Sequence, residues 1–201
     1  MLWDDWKPTW LELTGEHFVP GERLLTRAAD VSAGLAIVEV GSYCGLSAMT
    51  MAMGAQQGCG AHVYNVDTWQ LPTPLFNDYN RLSNLGYLLD RAQEHGLLSQ
   101  ITPLRGYSVE MAAIRDWQIG LLFIDAAHER VSLQADMEAW LPHVVPGGYV
   151  LFHDYHYPHS PEVAPLLDEW WGSVSTAGTW CERAVILPEE ENWTLEVRRC
   201  E

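Results

Sequence analysis

The stretch Ala36-Ile37-Val38-Glu39-Val40-Gly41-Ser42-Tyr43-Cys44-Gly45-Leu46-Ser47 limits the fold more than any other part of the chain. An apolar, β-branched run ends in an acidic residue, turns through two glycines and enters a helical sequence from Leu46 to Ala55. A strand–turn–helix of this kind presents a small polar ligand at the C-terminal edge of a parallel sheet. Gly41 and Gly45 let the backbone turn tightly and let a ligand come close. The helix that follows aims its N-terminal amides at the same place.

The alternation continues along the chain. Strand-like runs fall at Ala36–Val40, His62–Val66, Ile101–Arg105, Gly120–Ile124 and Tyr149–His153. Helical periodicity fits Glu22–Val31, Leu46–Ala55, Asn80–His95, Ser108–Ile114, Leu133–Leu141 and Pro161–Trp171, with Pro161 suited to a first helical turn. Two further strand-like runs, Arg183–Pro188 and Trp193–Arg198, are joined by Glu189-Glu190-Glu191-Asn192, a link short enough for a hairpin. The pattern predicts an α/β fold that is Rossmann-like and doubly wound. Its sheet is mostly parallel and seven-stranded, closing with an antiparallel C-terminal hairpin strand. Residues 1–20 read as an N-terminal lid or arm and residues 21–201 as a single domain. Leu71–Tyr79 reads as the longest loop, and no internal repeat is present.

Charge narrows the partners. A formal net charge of −16 argues against a phosphate backbone or an anionic membrane, since both need clustered Lys and Arg. The partner expected is a small-molecule substrate, with no nucleic acid and no membrane; homo-oligomerisation stays open. No apolar run is long enough for a transmembrane helix, and the N-terminus lacks a signal-peptide pattern. The cysteines, Cys44, Cys59, Cys181 and Cys200, form no CxxC pair and read as reduced thiols of a cytoplasmic protein. Ten tryptophans is a high count. Trp3, Trp6, Trp10 and Trp69 sit where they line an aromatic pocket or plug the core.

Three strand ends form a candidate cofactor site. Glu39, Gly41, Ser42, Gly45 and Ser47 belong to the first turn. Asp67, followed by Thr68 and Trp69, ends the second strand, where an acid accepts both hydroxyls of a ribose. Gly106, Tyr107 and Ser108 follow the third strand, where backbone and hydroxyl meet an adenine edge. A dinucleotide turn needs GxGxxG, and here the middle glycine is missing. Glu39 would repel a pyrophosphate and suits a cationic sulfonium–amino acid, which favours S-adenosyl-L-methionine over a nicotinamide cofactor. An NAD(P)-dependent oxidoreductase is the weaker alternative.

The fourth and fifth strands end in Asp125 and in His153-Asp154. Asp125, His153 and Asp154 form a reasonable set for Mg2+ or another divalent cation. The plainer alternative is that strand-ending acids cap the next turn. Asp125 also completes the cofactor set. His143 reads as a surface residue, Asp136 as part of a solvated helix face, and His156 and His159 as substrate-loop residues.

From Val38 to Arg198 the chain resembles class I S-adenosylmethionine-dependent methyltransferases. Phe123-Ile124-Asp125-Ala126-Ala127-His128, with the segment from Pro146 to Tyr155, resembles the subgroup of macrocin-type sugar O-methyltransferases and cephalosporin-hydroxylase-like proteins. More distantly it is similar to catechol O-methyltransferases. The resemblance implies a metal held after the fourth and fifth strands, although His153 stands where the relatives carry an acid. It also implies that His128 is the general base, with Asp125 beside it in the catalytic pair. A neutral imidazole of ordinary pKa, near 6.5, suits removal of a hydroxyl proton. The expected activity is O-methylation of a hydroxyl on a sugar, natural product or aromatic. N- or C-methylation without metal remains the alternative, because the fold does not choose the acceptor.

Overall fold

Every strand that lies inside the sheet must hide both of its faces, and the central strand sequences here are largely apolar on both. In the computed structural model, which describes residues 3–14, 20–70, 84–186 and 193–201, these strands form one sheet between two helical layers. The order along the chain is α1 (Trp3–Thr14), α2 (Gly21–Asp30), β1 (Ala36–Val40), α3 (Leu46–Gln57), β2 (His62–Asp67), α4 (Asn84–Glu94), β3 (Ile101–Arg105), α5 (Ser108–Ala112), β4 (Ile119–Ile124), α6 (Arg130–Trp140), β5 (Val144–Phe152), α7 (Val163–Ser175), β6 (Trp180–Ile186) and β7 (Thr194–Arg199).

The seven strands lie in the order β3-β2-β1-β4-β5-β7-β6. The first five are mutually parallel, and β7 is antiparallel to both β5 and β6. The chain order reverses between β1 and β4, which opens the crevice where such sheets place ligands. Alternation along the strands separates two cores. Ile37, Val63, Leu121, Phe123 and Leu151 pack with α2, α3 and α4 on one face. Val38, Val40, Leu122, Ile124, Val150 and Phe152 pack with α6 and α7 on the other.

The α/β architecture and the closing antiparallel strand follow the sequence pattern. Several boundaries differ, and one open reading is decided. β5 begins at Val144 rather than Tyr149, with Pro146-Gly147-Gly148 inside it. The register against β4 jumps between Ile119 and Leu121, so the Pro-Gly-Gly segment bulges out without ending the strand. α7 starts at Val163, with Pro161 in the turn before it. Trp6 goes to the core: it is 3 % exposed, its indole N–H points at Thr50 Oγ1 (3.5 Å), and its ring meets His95 edge-on. It therefore plugs the helical layer instead of lining an entrance. The loop at Leu71–Tyr79 and the hairpin link Glu189–Asn192 lie outside the described residues.

Candidate active site

The glycine turn closes against its neighbours. A Cβ on Gly41, whose φ is +86°, would stand 2.2 Å from the Asp125 carbonyl oxygen. One on Gly45, with φ +79°, would stand 2.3 Å from Leu88 Cδ1 on α4. Both glycines are thus required by the packing of β1 against β4 and of α3 against α4, whatever ligand sits above them. Sequence reasoning assigned them to a tight turn and to ligand approach, not to this packing.

Asp67 holds the turn from the side. Its Oδ2 accepts the backbone N–H of Ser42 and of Tyr43, each at 2.9 Å, and its Oδ1 accepts that of Trp69 at 2.7 Å. It sits at the β2 end as expected, but its oxygens already cap two loops. A ribose would use the lone pairs that remain. Trp69 is 8 % exposed and donates its indole N–H to the Tyr43 carbonyl at 3.2 Å, so it braces the turn from the core side. Thr68 accepts Arg105 Nε on its carbonyl at 3.3 Å. At the third strand end Tyr107 is exposed, and Gly106 and Ser108 are half-buried. The Ser108 hydroxyl accepts the indole N–H of Trp140 at 2.7 Å and also faces Asp136. Its side chain is therefore tied to α6, and its backbone is what remains for a ligand. Asp136 is buried, not on a solvated face, and burial pushes its carboxyl above the usual range.

Beneath the turn lies a buried polar cluster. Glu39 is fully buried, and its Oε1 accepts a close hydrogen bond from the Ser47 hydroxyl. Asn65, its register partner on β2, is also fully buried and donates to Ser42 Oγ at 2.9 Å. Burial pushes the Glu39 carboxyl up to about 8, against the opposing pull of the Ser47 and Ser42 hydroxyls.

The second half of the site is at the ends of β4 and β5. His153 is buried, with Nδ1 3.1 Å from Asp125 Oδ1 and 3.2 Å from Asp154 Oδ1. His128 Nε2 lies 2.8 Å from Asp154 Oδ2 and 3.8 Å from Asp125 Oδ1. The shorter approach is a polar contact and not an aligned hydrogen bond. His128 is the most open of the four, its side chain 40 % exposed.

The charges in this quartet compensate one another. Burial pushes both acids up, but the imidazoles outweigh it and hold Asp125 and Asp154 below the usual carboxylate range. The nearby carboxylates of Asp125 and Asp154 raise His128 to about 9. Burial opposes a charge on His153, yet the same two acids hold its pKa well above that of an ordinary imidazole. The ordinary pKa expected for His128 does not survive this environment. Ligand atoms of Asp125, His128 and Asp154 lie within 4.8 Å of one another, so the metal-competent grouping includes His128, while His153 bridges the two acids. A donor set of two carboxylates and one imidazole fits a divalent cation.

Tyr43, Trp69 and Asp154 are the non-glycine residues with left-handed backbone among those described, with φ of 48°, 46° and 57°. All three follow strand ends at one edge of the sheet, which is where such conformations accompany function. The loop after β5 contributes His156, exposed and packed by its ring against Tyr155 and Trp193, and His159 against Tyr157. Sequence reasoning missed Trp193, whose carbonyl accepts the Tyr155 N–H at 2.8 Å. Antiparallel pairing of β7 with β5 brings it to this edge, and no local motif announces that.

Known proteins share this fold. An O-methyltransferase from Bacillus cereus, solved in complex with SAH, aligns with a TM-score of 0.64 at 13 % identity, covering 96 % of this chain and 90 % of its own. A putative caffeoyl-CoA O-methyltransferase from Staphylococcus aureus aligns with a TM-score of 0.64 at 15 % identity, covering 97 % and 91 %. An rRNA methylase from Streptococcus thermophilus aligns with a TM-score of 0.65 at 13 % identity, covering 92 % and 99 %. At these identities the likeness is one of fold. A protein family described as Methyltransferase domain matches residues 38–155, more than half of the chain and the run from within β1 to just past β5. The chain belongs to this methyltransferase family.

Proposed function

We propose that the protein transfers a methyl group from S-adenosylmethionine to a hydroxyl of a small molecule. The observation that carries this reading is the meeting of His128 with Asp125 and Asp154 across the crevice from the glycine turn of β1. Bound S-adenosylmethionine supplies an electrophilic methyl on a sulfonium. The residues fit such a ligand: a buried acid lies beneath the turn, an acid ends β2, and the backbone of Gly106, Tyr107 and Ser108 follows β3.

The reaction then needs an oxygen held in line with the methyl and relieved of its proton. Asp154 faces Nε2 of His128 and orients the ring, which leaves Nδ1 to take the acceptor's proton. His128 must first be unprotonated, and the two acids around it make that costly near neutral pH. Asp125 and Asp154 would hold a divalent cation, which would lower the pKa of a bound hydroxyl, with His128 kept as the base and not spent as a third ligand. His153 keeps the two acids together from below.

The acceptor class follows from charge. The same fold serves an rRNA methylase, but a net charge of −16 disfavours a polyanionic substrate. Sugar, natural-product and aromatic hydroxyls fit, with Tyr157, His156 and Trp193 near the rim. No helix among the described residues is long and apolar enough to cross a membrane. A cytoplasmic location and a possible self-association belong to this same reading.

The test is transfer of isotopically labelled methyl from S-adenosylmethionine to a panel of hydroxylated acceptors, with and without a chelator. The reading expects label on an acceptor oxygen and loss of rate on chelation. Label on nitrogen or carbon would overturn the acceptor assignment, and a rate unaffected by chelation would overturn the cation.

A further inference from the structure

Asp154 carries the carboxylate that meets His128, and its backbone is left-handed, with φ of 57°. A residue with a Cβ holds that conformation only where its surroundings impose it. On its N-terminal side the sheet does so. The His153 N–H donates to the Ile124 carbonyl at 3.0 Å and continues β5 alongside β4. On its C-terminal side the chain turns away through Tyr155, His156 and Tyr157, and the Tyr157 N–H returns to the Asp154 carbonyl at 3.1 Å. That side is fixed by Tyr155.

Tyr155 is pinned through its backbone, its ring and its hydroxyl. Its N–H donates to the Trp193 carbonyl at 2.8 Å, just ahead of β7. Its ring is 3 % exposed, in the core shared with α7. Its hydroxyl donates to Asp168 Oδ1 on α7 at 2.6 Å and accepts Arg183 Nη2 from β6, which also donates to the same Asp168 oxygen. The Arg183 guanidinium lies over the ring as well, 5.4 Å from its centroid. Packing needs the ring alone, and a phenylalanine would supply that. The hydroxyl does something further: it ties the residue after Asp154 to two elements that arrive from later in the chain. The Asp168 and Arg183 side chains are 50 % and 28 % exposed, so as an ion pair they add little stability. What they provide is a fixed point for one oxygen. Asp67 does the same for the donor turn, where it accepts the N–H groups of Tyr43 and Trp69, the other left-handed non-glycine residues among those described.

We propose that Tyr155 is a positioning residue for the reaction: its hydroxyl, held between Asp168 and Arg183, fixes the turn that aims the Asp154 carboxylate at Nε2 of His128. The carboxylate in turn orients the imidazole. Tyr155 acts through Asp154 and takes no part in proton or methyl transfer itself. The consequence for rate rests on the methyl-transfer reading; the consequence for geometry does not. A misplacement of about 1 Å costs about 10²-fold in rate, so loss of the hydroxyl lowers kcat by about ten- to a hundredfold. Donor affinity belongs to the ends of β1, β2 and β3 and stays as it is. The edge strand β6 thereby gains a part in the site through Arg183.

Two measurements on the full chain test this, with Tyr155→Phe, which keeps the ring and removes the hydroxyl. Crystal structures of wild type and variant, both without ligand, read the geometry. The proposal expects the Asp154 carboxylate to leave hydrogen-bond distance of His128 in the variant, and a carboxylate that stays in place overturns it. Labelled methyl transfer, with calorimetry for S-adenosylhomocysteine, reads the consequence. The expected result is a kcat about ten- to a hundredfold lower, with the donor KM and the Kd for S-adenosylhomocysteine within about twofold of wild type. A lower melting temperature with kcat unchanged marks a hydroxyl that only stabilises the fold, and overturns the proposal. A displaced carboxylate in a protein whose wild type transfers no methyl overturns the methyl-transfer reading, while the placement of Asp154 by Tyr155 stands. If Tyr155→Phe does not fold, Asp168→Ala, changed on the exposed side of the pair, takes its place in both measurements with the same expected and contrary results.

Discussion

His128 shows how far a residue's role can be seen before its neighbours are known. Asp-x-x-His at a strand end marked it as the proton acceptor, and the structure places it beside Asp125 and Asp154. Replacing His128 by Ala should lower kcat by about 10²–10⁴ while leaving the Kd for S-adenosylhomocysteine within about threefold, measured by steady-state rates and calorimetry. A Kd that moves as much as kcat would show that the ring serves donor binding instead. The sequence could not show the raised pKa of His128, because that depends on two carboxylates arriving from different strands. Asp136 is the same lesson reversed. Its place on a helix suggested solvent, and only tertiary packing shows it buried against Ser108.

At the scale of elements, strands and their order were the legible part. β1 and β3 run over the residues that periodicity marks, since apolar runs bounded by turn residues leave little choice. β5 was shortened by five residues at its start, because Pro146-Gly147-Gly148 reads as a turn locally and becomes a bulge only when β4 pairs alongside. The tie between α2 and β7 was invisible for a similar reason. Glu196 is 5 % exposed and accepts Arg27 at 2.7 and 3.1 Å and Arg23 at 3.3 Å, across most of the chain's length. Arg27 also lies over the Tyr149 ring, 3.8 Å from its centroid. Arg27→Ala leaves a buried carboxylate with one half-exposed partner and should cost about 2–4 kcal/mol in denaturant unfolding. A loss below about 0.5 kcal/mol would mean that Arg23 alone neutralises Glu196.

For the whole molecule, one sheet edge collects the glycine turn, the strand-ending acids and the three left-handed non-glycine residues among those described. Stability should carry the mark of Glu39. Its folded pKa, about 8, lies above the unfolded value, so its contribution is intact below the ordinary carboxylate range and is lost as pH rises toward 8. The melting temperature of the ligand-free wild type should therefore fall relative to Glu39→Gln between pH 5 and pH 8, read by scanning calorimetry. Parallel curves would contradict the raised pKa of Glu39. The central claim is that this edge binds the product and donor of methyl transfer. Titration of the full chain with S-adenosylhomocysteine, followed by calorimetry, tests it most directly. Saturable one-to-one binding in the micromolar range, which NAD does not reproduce, is the predicted result; no heat with S-adenosylhomocysteine, or preferential binding of NAD, would contradict it.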